Sequence, residues 1–215
     1  MHLAEGVLSA PVLIGGGALT GCGLWMGVRR LHEEHLVHAA TCTSAFFVAS
    51  LIHVPFGPSS AHLLLIGLVG VMLGWVAFPC IFVGLLLQAV LFQFGGLTTL
   101  GVNTSIMAAP AVCVHYLFGA FIRRGGAAGT AASFLAGGGA ILGAALLAAA
   151  ALFFTDDGFV TLAALIIGVH LPVMFVEGVV AASAAPFLAR VHPALISGAE
   201  YNAARTPMEK NGCQE

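Results

Sequence analysis

The chain has 215 residues, 60% of them hydrophobic and 7% charged, with 7 basic and 9 acidic side chains and a formal net charge of −2. A soluble domain carries about 25% charged residues, so these few cannot clothe a globule of this size in polar surface. An ordinary soluble enzyme, a disordered chain and a nucleic-acid binder are excluded, and a mean hydropathy of +1.04 leaves a polytopic helical membrane protein.

Apolar runs at 7–28, 36–53, 62–74, 77–94, 104–122, 129–154 and 159–189 predict an all-α fold of about seven transmembrane helices. They are far longer than the ~10-residue alternating strands of an outer-membrane barrel. No Lys or Arg precedes Arg29, so the start reads as retained rather than as a secretory leader. Arg29-Arg30 closes the first run, Arg123-Arg124 the fifth, and Arg190, Arg205 and Lys210 follow the seventh. An outside N-terminus and a cytoplasmic C-terminus put all of these in the cytoplasm. Asp156-Asp157 then falls outside, and Glu33 and Glu34 inside.

The same parity divides 62–94. One helix there would set Arg123 and Arg124 on the opposite side from Arg29 and Arg30. Gly74, Trp75 and Pro79 mark the expected break. The third run, at ~1.5 Å per residue, is too short to cross ~30 Å of hydrocarbon. Such a helix is expected to end against protein or a polar cavity.

The chain contains 28 glycines, with triplets at Gly15-Gly16-Gly17 and Gly137-Gly138-Gly139. Small residues let helices approach closely in lipid, which suits internal packing or a docking surface for a second membrane protein. The cysteines, Cys22, Cys42, Cys80, Cys113 and Cys213, are odd in number and lack CxxC spacing. They read as small apolar residues within helices. No G-x-x-x-x-G-K-[ST] loop is present, so ATP hydrolysis is not expected of this chain.

The chemistry begins at Met1-His2. The Met1 amine and the His2 amide nitrogen close a five-membered chelate ring around one metal. The amide and the His2 Nδ1 close a six-membered ring. Three nitrogens then lie near one plane, a geometry suited to Ni(II) and Cu(II). Binding must release the amide proton, so affinity should rise with pH. His62 follows the turn Pro55-Phe56-Gly57-Pro58-Ser59-Ser60-Ala61, opens the third run on the same side as Met1, and is the natural fourth nitrogen. His53 ends the second run on that side, as a ligand, a relay, a hydrogen-bond donor to a ligand or an interfacial histidine.

The loop Phe94-Gly95-Gly96-Leu97-Thr98-Thr99-Leu100-Gly101-Val102-Asn103-Thr104 is also external. Its glycines allow close backbone approach, and Thr98 and Asn103 could orient ligands by hydrogen bonds. His170 and Glu177 stand two helical turns apart on one face of the seventh run, paired structurally or relaying the metal or its protons. His32-Glu33-Glu34-His35 lacks the H-E-x-x-H spacing of a zinc protease. With His38 it reads as a solvated cytoplasmic turn.

These residues together resemble the CbiM/NikM family, the substrate-capture components of energy-coupling factor transporters for cobalt and nickel. Met1-His2-Leu3-Ala4-Glu5-Gly6-Val7-Leu8-Ser9 is similar to that family's M-H-[IL]-x-[DE]-G-x-L-S start. Ser59-Ser60-Ala61-His62-Leu63 resembles its S-x-H motif. The glycine-rich loop and His170-Leu171-Pro172 with Glu177-Gly178 look like its later motifs. The resemblance covers nearly the whole chain in order. It implies seven helices and a metal held by nitrogens of Met1, His2 and His62. It also implies partners: a transmembrane coupling protein, two ATP-hydrolysing subunits and a small auxiliary membrane protein, here as a separate chain.

The reading is therefore a single transmembrane helical domain, 1–189, with an N-terminal metal-binding segment, and a short cytoplasmic tail, 190–215. The chain is a transporter subunit of a prokaryotic plasma or inner membrane and not an enzyme. It needs no cofactor, and its transported ligand is Ni2+ or Co2+. A stand-alone metal channel or proton-coupled carrier is the other function these helices suit.

Overall fold

The computed structural model describes residues 2–56, 59–191 and 194–197, with the backbone alone at 53–56, 59–62, 157, 194 and 197. In chain order the elements are α1 (Ala10–Val28), α2 (Leu36–Ala49), β1 (His53–Phe56), β2 (Ser59–His62), α3 (Ile66–Leu73), α4 (Ala77–Phe92), α5 (Leu100–Arg124), α6 (Gly126–Phe153), α7 (Val160–Val191) and the single turn α8 (Ala194–Ser197). Each expected apolar run overlaps one of α1 to α7, although α5, α6 and α7 extend beyond theirs. Among the described residues, five stretches are long and apolar enough to cross a membrane: Ala10–Val28, Ile66–Phe92, Leu100–Arg124, Gly126–Phe153 and Val160–Val191. Large apolar side chains face outward all round, among them Ile14, Val90, Leu117, Leu165 and Phe175. This is the surface of a bundle solvated by lipid.

Helix α5 is central and packs on α1, α3, α4 and α6, while α6 runs along α7. Small residues set these approaches. A Cβ on Gly16 would strike Val102, one on Gly137 would strike the Glu177 carbonyl and Ala181, and one on Gly67 would strike the α6 backbone at Ala136. Gly16, Gly137 and Gly138 thus serve internal packing, whereas Gly15 and Gly17 have open space where a Cβ would stand. Hydroxyls add polar ties. Thr20 Oγ1 donates to the Gly101 carbonyl at 2.5 Å, and Ser105 Oγ donates to the Gly16 carbonyl at 2.8 Å.

Inside Ile66–Phe92 the helix breaks at Gly74, with φ 53° and ψ −124°. Glycine reaches this region without a Cβ clash. Pro79 sits in the first turn of α4, where its missing N–H leaves no helical bond unmade. Helix α3 has 8 residues and is almost wholly buried against α5, α6 and α7.

The structure corrects the sequence reading in four places. The all-α class holds, with one short two-stranded exception. The expected external turn is an antiparallel hairpin with register His53↔His62, Val54↔Ala61, Pro55↔Ser60 and Phe56↔Ser59. Helix α2 stops at Ala49, and Pro55 and Pro58 lack the N–H groups that would carry a helix onward. His62 therefore closes a strand instead of opening α3, which starts at Ile66. The glycine-rich loop is shorter than expected. Helix α5 begins at Leu100, so Asn103 and Thr104 belong to its first turns, and Thr104 Oγ1 donates back to the Leu100 carbonyl at 2.8 Å. His35 is not solvated. It is 4% exposed, with Nε2 3.5 Å from the Glu34 carboxylate.

Helix α7 runs on to Val191, and Ile196 of α8 is buried against the bundle. Residues 198–215 of the expected tail, including Cys213, lie outside the described residues.

Candidate metal centre

Residues 2–9 fold back into the bundle ahead of α1. Leu3 and Leu8, each 8% exposed, anchor this segment in the apolar core. The segment is then held by polar groups from two helices, α4 and α5, and from the loop between them.

The His2 ring lies against Phe94, centroids 6.0 Å apart, and its Nε2 is 2.7 Å from Gln88 Oε1. Gln88 is fully buried on α4. Its Nε2 donates to Ser50 Oγ at 2.8 Å, and Ser50 Oγ donates to the Phe47 carbonyl at 2.6 Å. Burial first, then the positive charge of the chain's own amino terminus, pulls the His2 pKa down to about 4, against a weaker upward effect of the Gln88 bond. The imidazole is neutral at pH 7, as a nitrogen ligand must be.

Asn103 grips the next residue. Its Oδ1 accepts from the Leu3 amide at 2.9 Å, and its Nδ2 donates to the Leu3 carbonyl at 3.1 Å and to Thr99 Oγ1 at 3.2 Å. Further along, Glu5 Oε1 accepts from the Thr98 amide at 3.1 Å and from its hydroxyl at 3.4 Å. The glycines make this closure sterically feasible. Gly95 has φ +78°, and a Cβ there would stand 2.9 Å from Asn103 Nδ2 and 3.5 Å from His2 Cβ. Gly96 has φ +149°, and a Cβ there would run into the Glu5 side chain.

On the hairpin, His53 and His62 are directly opposed across the strands. The Leu63 amide donates to the Ile52 carbonyl at 3.3 Å, closing the ladder. The Glu177 carboxylate, 1% exposed on α7, accepts from the Leu64 amide and, at 2.8 and 3.0 Å, from the Leu65 amide. Leu65 has φ 54°, a left-handed conformation that is uncommon for a branched residue, and the carboxylate bonds lock it there. The chain reverses at this point from strand β2 into α3.

Met1 and the side chains of His53 and His62 lie outside the described residues. Of the other expected residues, the structure brings His2, Asn103 and Thr98 together around the N-terminal segment. Glu177 reaches the backbone just past His62. His170 instead turns its Nδ1 to the Ile166 carbonyl of its own helix at 2.7 Å, and its bond and those of Glu177 do not meet. Among the described residues, no three His, Cys, Asp or Glu side chains gather where they could hold a metal ion. Sequence reasoning missed Gln88, Ser50 and the role of Glu5. The signal for Gln88 was there: an amide well inside the apolar run 77–94, whose other amide, Gln93, stands at its end, at a depth where a polar group needs a partner.

A family model described as the cobalt uptake substrate-specific transmembrane region, CbiM, matches residues 2–195. The chain belongs to the CbiM family. It is 38% identical over 203 residues to a protein of Haemophilus influenzae assigned to metal transport, covering 93% of this chain and 98% of that one. It is 35% identical over 114 residues to the fused nickel transport protein NikMN of Rhodobacter capsulatus, covering 50% of this chain and 33% of that protein. It is 33% identical over 136 residues to the cobalt transport protein CbiM of Kyrpidia tusciae, covering 59% and 54%. A crystal structure of a transition metal transporter superposes with TM-score 0.70 at 22% identity, over 94% of this chain and 99% of that one. A truncated transition metal transporter gives 0.65 at 22% identity, over 88% and 97%. These last two are alike in fold alone.

Proposed function

We propose that this chain captures Co2+ or Ni2+ at the outer face of a prokaryotic cell membrane, as the substrate-binding subunit of an ATP-driven transporter. Its ligands are the Met1 amine, the His2 amide nitrogen and Nδ1, and the His62 imidazole. Seven membrane segments with the N-terminus outside bring these residues to one side. Family membership and the cobalt and nickel transport names of its relatives support the cargo.

One observation carries the site. The segment that bears His2 is folded into the protein and fastened at Leu3 and Glu5 by α5 and the glycine-rich loop. Holding His2 and the peptide nitrogens in place before the metal arrives lowers the ordering penalty of binding. Glu177, through Leu64 and Leu65, fixes the chain two residues beyond His62. A metal entering the site exchanges water for nitrogen donors and expels protons from the amine and amide. The family resemblance supports a source of energy for release in ATP hydrolysis on partner chains. These are two ATPase subunits joined through a transmembrane coupling protein, with a small auxiliary membrane protein beside this chain.

The test is metal content and visible absorption of the purified protein, native and with one residue added before Met1, each offered Ni2+ and Co2+. Metal retained by the native protein and lost by the extended one is the expected result, and the preferred metal names the cargo. Equal metal in both removes the amine from the site. Uptake by vesicles holding this chain alone would replace the ATP-driven reading with a channel or proton-coupled carrier.

A further inference from the structure

The hydrogen bonds running from α2 through α4 to His2 have a direction that the chemistry of each atom dictates. The Phe47 carbonyl only accepts, so the Ser50 hydroxyl at 2.6 Å donates its proton there. Ser50 Oγ then receives its bond from Gln88 at 2.8 Å, and only the amide nitrogen of Gln88 can give it. The Gln88 carbonyl oxygen is thereby turned toward His2. An amide oxygen has no proton to give, so the 2.7 Å bond requires a proton on His2 Nε2. In a neutral ring the lone pair then belongs to Nδ1.

We propose that Gln88 is a positioning residue for metal capture: held by Ser50, it fixes His2 in the tautomer whose Nδ1 carries the lone pair and aims that nitrogen at the metal. This rests on the proposed ligand set and adds what prepares it. Nδ1 is the ring nitrogen that closes a six-membered chelate with the His2 amide. Nε2 lies on the far side of the ring and cannot close it. Gln88 is fully buried and Ser50 is 1% exposed, so water does not compete for either bond. A partner that fixes the tautomer and plane of a ligating histidine generally contributes about 10–100-fold to metal affinity.

The same chain of bonds predicts an order among variants that packing alone would reverse. Gln88→Leu keeps the volume and removes the acceptor. Gln88→Glu keeps an acceptor at the same reach and brings a buried charge. Ser50→Ala frees the Gln88 amide to flip and present its NH2 group to His2. Long-range 15N spectra of histidine-labelled, metal-free protein read which ring nitrogen carries the proton, with the His2 signal assigned by its absence from His2→Ala.

The expected result is an unprotonated Nδ1 in the native protein and in Q88E, and a mixture of tautomers in Q88L and S50A. Ni2+ affinity should fall about 10–100-fold in Q88L, less in S50A, and least in Q88E. A His2 spectrum unmoved by Q88L overturns the proposal, as does Q88L binding Ni2+ like the native protein while Q88E does not. If Q88L fails to fold, the S50A spectrum decides: a native tautomer there overturns it. The tautomer is read without metal, so these outcomes stand apart from the extension before Met1, which tests the ligand set itself.

Discussion

Asn103 brackets Leu3 with a pair of hydrogen bonds, accepting from its amide at 2.9 Å and donating to its carbonyl at 3.1 Å. A side-chain amide here does what a neighbouring β-strand would do, but for one residue only. The peptide groups on the C-terminal side of His2 are thereby satisfied in a buried setting where water cannot serve them. Asn103→Leu should leave both Leu3 groups unpaired, each at about 1–3 kcal/mol. The expected outcome is a lowered unfolding temperature in detergent together with weakened metal retention. Asn103→Asp keeps the bond from the amide and faces the carbonyl with a like-signed oxygen, so it should fall between. Native behaviour of Asn103→Leu in both measurements would remove Asn103 from the support of the site.

Glu177 should prove a backbone anchor. Glutamine can offer one acceptor oxygen to the Leu64 and Leu65 amides, and its NH2 group adds a donor facing donors. Glu177→Gln should therefore destabilise the protein by about 1–3 kcal/mol, and Glu177→Leu by more. Thermal unfolding in micelles measures this. An undiminished midpoint in Glu177→Leu would show that the reversal at Leu65 is held by packing instead.

His2 gives stability a pH window. Its pKa falls from 6.5 to about 4 on folding, chiefly through burial. The unfolded chain binds a proton below about 6.5 that the folded one refuses until about 4. This contribution is fully present above about 6.5 and is lost as pH falls toward about 4. The His2 ring should accordingly titrate near 4 by NMR, and replacing His2 by Phe should flatten the loss of stability across that window. Metal affinity should still rise from pH 6 to 8, because the protons released there come from the amine and amide rather than the ring. A His2 midpoint near 6.5 would overturn the burial argument.

Gly96→Ala tests the closure of the loop. The added methyl strikes the Glu5 side chain and meets a φ of +149° that an L-residue rarely adopts. It should part Glu5 from Thr98 and lower metal retention. Glu5→Gln keeps an acceptor for Thr98 and should be mild by comparison. Equal retention in Gly96→Ala and native protein would mean that the Glu5–Thr98 tie is dispensable.

The helical parts of the fold were legible because apolar composition in lipid leaves few alternatives. Lengths followed from runs of apolar residues, and the break near Gly74 followed from glycine and proline chemistry. The hairpin was not legible. Residues 53–62 carry no clear alternation, and their prolines argued only against a helix. The N-terminal motif and the loop Thr98–Asn103 pointed to the candidate centre. The way they join did not show in the sequence, because the contacts link residues about a hundred positions apart. Gln88 was hidden in plain view: one amide in an apolar run looks incidental until the helix that holds it faces His2.

Those long separations bear on how the protein is made. Residues 2 and 3 leave the ribosome long before their partners, Gln88 at a separation of 86 and Asn103 at 100. The segment must wait, unplaced, until the helices that precede α5 have been made. Its docking is a late event of biogenesis, completed only once α5 is in position. If the proposed ligand set holds, a half-inserted chain therefore offers cargo no finished cradle, and occupancy by metal would report that assembly has run at least through α5.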